Sequence, residues 1–115
     1  MGRIVHVDNS GFFRKIMKLF LFELGYEYEG FSRGYDALFT VKNENIASVI
    51  TGLELPDMKG EEFIRQLYLL QKPLSIIVFS SITSGERLKQ LESMGVVGIV
   101  EKSSNWKEEL RKFFT

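Results

Sequence analysis

Ile46-Ala47-Ser48-Val49-Ile50-Thr51, stopped by Gly52 and followed by Leu53-Glu54-Leu55-Pro56-Asp57-Met58-Lys59 before Gly60, is the stretch on which the fold turns. Its second half is a run of β-formers without polar–apolar alternation. A strand covered on one face alternates, whereas one covered on both faces reads as a near-continuous apolar run. Gly60 to Gln71 then places Phe63, Leu67 and Leu70 at helical spacing. The unit is therefore a strand, a loop and a covering helix.

The same unit recurs on both sides. Toward the amino end, Arg3-Ile4-Val5-His6-Val7 reads as a strand, Asp8-Asn9-Ser10-Gly11 as a turn, and Phe12 to Leu24 as a helix with Phe13, Met17, Phe20 and Leu24 inward. Gly25 ends that helix as a glycine C-cap. Tyr26 to Phe31 is a weaker strand, and a short helix starts at Tyr35 and closes near Asn43. Toward the carboxyl end, Leu74 to Phe79 is a strand and Ser84 to Met94 a helix with Leu88 and Leu91 inward, stopped by Gly95. Gly98 to Val100 is a short strand. Asn105 to Phe114 is the last helix, with Trp106, Leu110 and Phe113 on one side, and Asn105 and Glu108 stand at capping-box spacing. Strand and helix thus alternate five times. This predicts one α/β domain over residues 1–115, a doubly wound parallel sheet with helices on both faces. In such sheets ligands gather beyond the carboxyl ends of the strands. Those ends carry Asp8 and Asn9, Gly52, Ser80 and Ser81, and Lys102.

Composition narrows the chemistry. The chain of 115 residues has no cysteine and one histidine, His6. Disulfides, thiol catalysis and zinc or iron–sulfur sites built on cysteine are excluded. Fifteen basic against fifteen acidic residues give a formal charge of zero. That argues against nucleic acid or an anionic membrane as partner. No apolar run approaches the roughly 20 residues that span a bilayer, and Asp8 interrupts the first apolar stretch too early for a signal peptide. A cytoplasmic domain is the expectation.

The motifs at these ends resemble the receiver domain of bacterial two-component response regulators over the whole length. Asp8-Asn9-Ser10 with Arg14, Gly25-Tyr26, Gly34-Tyr35-Asp36-Ala37-Leu38, Leu55-Pro56-Asp57-Met58-Lys59-Gly60, Ile76-Ile77-Val78-Phe79-Ser80-Ser81, and Gly95 followed by Lys102 carry the likeness in the family's order and spacing. The resemblance implies a flavodoxin-like sheet of order 2-1-3-4-5 with five helices. It also implies a phospho-accepting aspartate after strand 3 and two acids after strand 1 that with it hold Mg²⁺. A hydroxyl after strand 4 and a lysine after strand 5 bind the phosphoryl oxygens, and an aromatic residue on strand 5 reports the state.

This chain departs from that pattern. Gly52 stands at the nucleophile position, Asn9 at the second acid, Ile99 at the aromatic switch, and Ser103 where a proline follows the lysine. Asp8, Ser80 and Lys102 remain. The carboxylate count falls from three to one, so no cofactor is expected and Mg²⁺ binding should be weak or absent. By the same resemblance neither Glu54 nor Asp57 points a carboxylate into the pocket. The expectation is a degenerate receiver, not an enzyme, acting by contact with a histidine kinase, another receiver, an output protein or a second copy of itself. The resemblance places that contact on Arg87, Gln90, Leu91, Val97, Glu101 and Lys107. Two alternatives stay open: a conventional receiver whose aspartate at position 52 has been replaced, and an anion or small-ligand sensor built on Ser80 and Lys102. Asp8 reads either as a relic ligand or as an ion pair with Lys102. His6 reads as a pH switch or as a buried, hydrogen-bonded neutral imidazole. Phe12, Leu19 and Phe22, off the inward face of the first helix, read as rim packing or as a partner patch, and Phe113 and Phe114 pose the same question.

Overall fold

The computed structural model describes residues 2–81 and 84–114. Ten elements alternate along the chain: β1 (Arg3–Val7), α1 (Gly11–Glu23), β2 (Glu27–Phe31), α2 (Gly34–Asn43), β3 (Ser48–Thr51), α3 (Gly60–Leu69), β4 (Ser75–Ser80), α4 (Gly85–Ser93), β5 (Gly98–Glu101) and α5 (Trp106–Arg111). All sheet pairings are parallel, in the order β2-β1-β3-β4-β5. The expected fold class and strand order are both present.

The unalternating strands have the expected cause. Val5, Val7, Val49, Ile76 and Val78 point to one side, against Ala37 and Val41 of α2, Phe63, Ile64 and Leu67 of α3, and Leu91 of α4. Ile4, Ile50, Ile77, Phe79 and Val100 point to the other, against Met17, Phe20 and Leu21 of α1 and Trp106, Leu110 and Phe114 near α5. Both faces are apolar because both are covered. The covering is uneven. α3 buries Phe63, Ile64 and Leu67, each worth about 2 kcal/mol, whereas α4 fully buries only Leu91.

Helix ends follow local chemistry. Ser10 caps α1 by accepting from the Phe13 amide at 3.2 Å. Gly25 and Gly95 follow the ends of α1 and α4 with φ of 87° and 83°, the left-handed geometry a C′ glycine supplies. The last helix and the face of the first differ from expectation. α5 stops at Arg111, and Asn105 precedes it without a side-chain capping bond; its own amide donates to Ser103 Oγ at 3.3 Å instead. In α1 the inward face includes Leu21, while Phe13 and Leu24 are only half-buried. Phe114 is buried edge-on against Tyr26, with ring centroids 5.3 Å apart, and Phe113 lies over Gly98, where a Cβ would collide with its ring. Phe12, Leu19 and Phe22 are exposed. No helix among the described residues is long and apolar enough to cross a membrane.

Register brings the strand ends together. Val7 pairs with Thr51, Thr51 with Val78, and Ser80 with Glu101. Asp8, Gly52, Ser80 and Lys102 each lie at or just past one edge of that ladder.

Candidate functional site

Asp8 is the centre of this edge. Its amide donates to Phe31 O at 2.9 Å, extending the β1–β2 ladder by one residue. Its Oδ1 accepts from the Ser10 amide at 2.9 Å, and its carbonyl accepts from Arg14 Nη1 at 2.6 Å. Its Oδ2 lies 2.8 Å from Lys102 Nζ. Of the two readings of Asp8, the ion pair with Lys102 is the arrangement present. The carboxylate is 3% exposed. Burial pushes its pKa up, but the His6 ring, the Lys102 ammonium and the Ser10 amide outweigh burial and hold it below the usual carboxylate value.

Lys102 is positioned by β5. Its amide donates to Ser80 O at 2.9 Å, and its ammonium sits 4.4 Å above the centre of the Phe13 ring and 5.4 Å from that of Phe79. Those two rings meet edge-on at 5.5 Å, so the cation rests on an aromatic floor with Asp8 beside it. All peptide bonds of the described residues are trans, Lys102–Ser103 included.

His6 is fully buried. Its Nδ1 is 2.8 Å from the Tyr28 hydroxyl, and its Nε2 is 3.6 Å from Asp8 Oδ2, beyond hydrogen-bonding reach. Burial lowers its pKa, against the raising effect of Asp8. Of the two readings, it is the buried, hydrogen-bonded imidazole, with burial favouring the neutral form. Burial likewise raises the pKa of Tyr28.

Gly52 closes β3 by donating to Val7 O at 2.8 Å, and its own carbonyl accepts from the Thr51 hydroxyl at 2.8 Å. A Cβ there would meet Val7 O at 3.7 Å and Asp8 Cγ and Phe79 O at 3.8 Å, all ordinary contacts. Packing does not demand the glycine. At Gly60 packing does: a Cβ would come within 2.6 Å of Gly52 O and 2.8 Å of Leu53 Cα.

Asp8, Asn9, Gly52, Ser80 and Lys102 together line a hollow of about 260 Å³. The neighbouring acids are engaged elsewhere. Glu54 accepts from Lys59 and Arg87, both at 2.8 Å. Asp57 accepts from the Gly34 and Tyr35 amides, both at 2.9 Å, at the start of α2. The donor set is thus the Asp8 carboxylate already paired with a lysine, one neutral amide and one glycine, with the Glu54 carboxylate in the same lining but held by Lys59 and Arg87. Among the described residues no group of three or more His, Cys, Asp or Glu side chains could hold a metal. This does not fit a hard divalent cation, which needs several oxygen ligands with enough negative charge.

Ile99 is half-buried on β5 and borders a separate cleft of about 570 Å³ between α4 and β5, with Leu88, Val96 and Glu92. Of the residues expected on a partner surface, Gln90, Val97, Glu101 and Lys107 are exposed. Leu91 is not: it is 1% exposed in the core, because the α4 position that faces the sheet cannot also face a partner. Arg87 is turned toward Glu61 and Glu54. The aromatic floor under Lys102, the Tyr28 partner of His6, and the Arg87 and Asp57 contacts were beyond sequence reasoning, since each joins residues from distant segments.

The chain resembles known structures throughout. It matches the chemotaxis protein CheY4 of Vibrio cholerae at 24% identity and TM-score 0.89, covering 98% of this chain and 96% of that one. It matches a CheY-like receiver domain protein of Methanospirillum hungatei at 25% and 0.89, covering 98% and 90%. It matches the response regulator TrrA of Thermotoga maritima, solved with Mg²⁺ and BeF, at 29% and 0.86, covering 98% and 96%. No curated protein matches it. The sequence profile of the response regulator receiver domain covers residues 4–114. With that span matched and the sheet order in place, the chain belongs to the response regulator receiver domain family.

Proposed function

We propose that this receiver domain, taken as one unit over residues 1–115, works in two-component signalling without accepting a phosphoryl group on an aspartate, and transmits by protein–protein contact. One observation carries the reading. At the end of β3 stands Gly52, and the carboxylate nearest to it, Asp8, is held by Lys102 at 2.8 Å. Gly52 has no carboxylate with which to form an acyl phosphate, and the Lys102 ammonium that would neutralise incoming phosphoryl oxygens is already paired with Asp8. On the same grounds Mg²⁺ binds weakly or not at all. The partner is a protein of the pathway: a histidine kinase, another receiver or an output protein. The surface it meets includes Gln90, Val97, Glu101 and Lys107. The anion-sensor alternative finds no support in the Asp8–Lys102 pair, because an entering anion must compete with a buried carboxylate.

The room at Gly52 favours one second reading. A side chain fits there, as it would if the natural gene encoded aspartate at codon 52; that codon decides it. Asn9, Ile99 and Ser103 speak for natural divergence, since a single replacement does not account for them. The test of the main reading is incubation with acetyl phosphate and Mg²⁺, then with a phosphorylated histidine kinase, followed by intact-mass measurement. The expected outcome is no mass gain. A stoichiometric phosphoryl adduct that alkali and hydroxylamine release, as they release an acyl phosphate, would overturn it.

A further inference from the structure

α4 is held less by apolar contact than its neighbours are. Its nine residues include two aliphatic side chains, Leu88 and Leu91, and only Leu91 is buried. On its β5 side the structure leaves the cleft of about 570 Å³. What ties down its first turn is ionic. The Arg87 guanidinium donates from Nε to Glu61 Oε2 at 2.7 Å, from Nη2 to Glu61 Oε1 at 2.9 Å, and from Nη1 to Glu54 Oε1 at 2.8 Å.

Three segments meet in this fork: the start of α4 through Arg87, the start of α3 through Glu61, and the β3–α3 loop through Glu54. Bidentate arginine–carboxylate pairs are the strong, geometrically exacting kind. The Arg87 and Glu61 side chains are 19% and 11% exposed, so water screens them far less than it screens the Lys59–Glu54 pair at the rim. Arg87 holds the Glu61 carboxyl below its usual range, while Glu54 works the other way by like-charge repulsion. Withdrawing the guanidinium therefore removes an attraction and also leaves two carboxylates facing each other. Glu54 also lines the hollow beside Gly52, so one residue belongs to both places.

We propose that Arg87 is an ionic latch that keeps the first turn of α4 docked on α3, and that its release lets α4 swing off β5 and widen the cleft. The device needs no phosphoryl group, so it stands or falls independently of the proposed function.

Hydrogen exchange and a distance measurement on the full chain test it. Arg87→Met keeps the aliphatic stem and removes the fork. Its α4 amides, Leu88 and Leu91 among them, should exchange about tenfold faster than in the parent, as for a locally opened helix, with α1 and the strands unchanged. Arg87→Lys should fall between, because an ammonium cannot reproduce the planar fork. Glu61→Gln, which keeps shape and removes one charge, should also speed α4 exchange. Spin labels at Gln90→Cys and Lys107→Cys, in a chain with no native cysteine, should give one distance in the parent and a second, longer one with Arg87→Met. Unchanged α4 exchange, an unchanged distance distribution, or acceleration shared by α1 and α4 would overturn the latch.

Discussion

Gly52 has space for the side chain that its relatives' pattern implies, and that space makes a clean experiment. Gly52→Asp should still fold, since its Cβ meets nothing closer than 3.7 Å, but with lower stability than the parent, because a second carboxylate is buried beside Asp8. It should still be a poor phospho-acceptor. The new carboxylate would join an Asp8 already bound by Lys102 and an uncharged Asn9, and Ile99 offers no aromatic rotamer to report the change. Fast, Mg²⁺-dependent phosphorylation of this variant with a clear response at α4, followed by intact mass and amide exchange, would contradict this. At this scale the sequence was informative about identity and silent about pairing. Asp8, Gly52, Ser80 and Lys102 were found by their places at strand ends. The resting of Lys102 on Phe13 and Phe79 was not, because ring orientation depends on how α1 packs against β4.

The elements were legible where local chemistry sets them and less so where tertiary contacts do. Gly25 and Gly95 end helices because a residue with positive φ is needed there, a demand written into the chain itself. The start of α2 is different. Its cap position is Arg33, whose side chain makes no capping bond, and the two free amides of Gly34 and Tyr35 are taken by Asp57 from the β3–α3 loop. Asp57→Ala should therefore cost about 1 kcal/mol, the usual loss for a helix N-cap, although Asp57 lies outside the helix. Urea unfolding would show it as a shifted midpoint with unchanged slope; a loss confined within error would remove the capping role. Asn105 is the converse case. Its spacing to Glu108 suggested a capping box, yet the Ser103 turn claims its amide and no side-chain bond forms. Leu91 likewise could not be both core and surface once α4 was seated.

For the molecule as a whole, His6 on β1 and Asp8 just after it are two buried titratable groups whose pKa values are lowered for different reasons. His6 has its pKa lowered from 6.5 by burial. The unfolded chain therefore takes up that proton first, so the contribution is fully present above about pH 6.5 and is lost as pH falls below it. Asp8 has its pKa lowered from 3.8, so its contribution is lost only at more acidic pH, through and below that value. Stability measured by urea unfolding should fall from pH 6.5 downward, and His6→Gln should flatten that first decline while leaving the more acidic one. A flat profile between pH 7 and 5 in the parent would refute the assignment. The alternation of covered strands and amphipathic helices determined the fold by itself, since burial on two faces leaves its mark in the residues without regard to distant partners. The strand-end positions also declared the family and the missing carboxylate. Only the tertiary structure decided what the remaining groups do: that Lys102 turns to Asp8, that His6 turns to Tyr28, and that Arg87 is drawn inward by Glu61 and Glu54. Charges and rings find partners through space, and the chain order that specifies a strand says nothing of which side chain will meet it from the far side of the sheet.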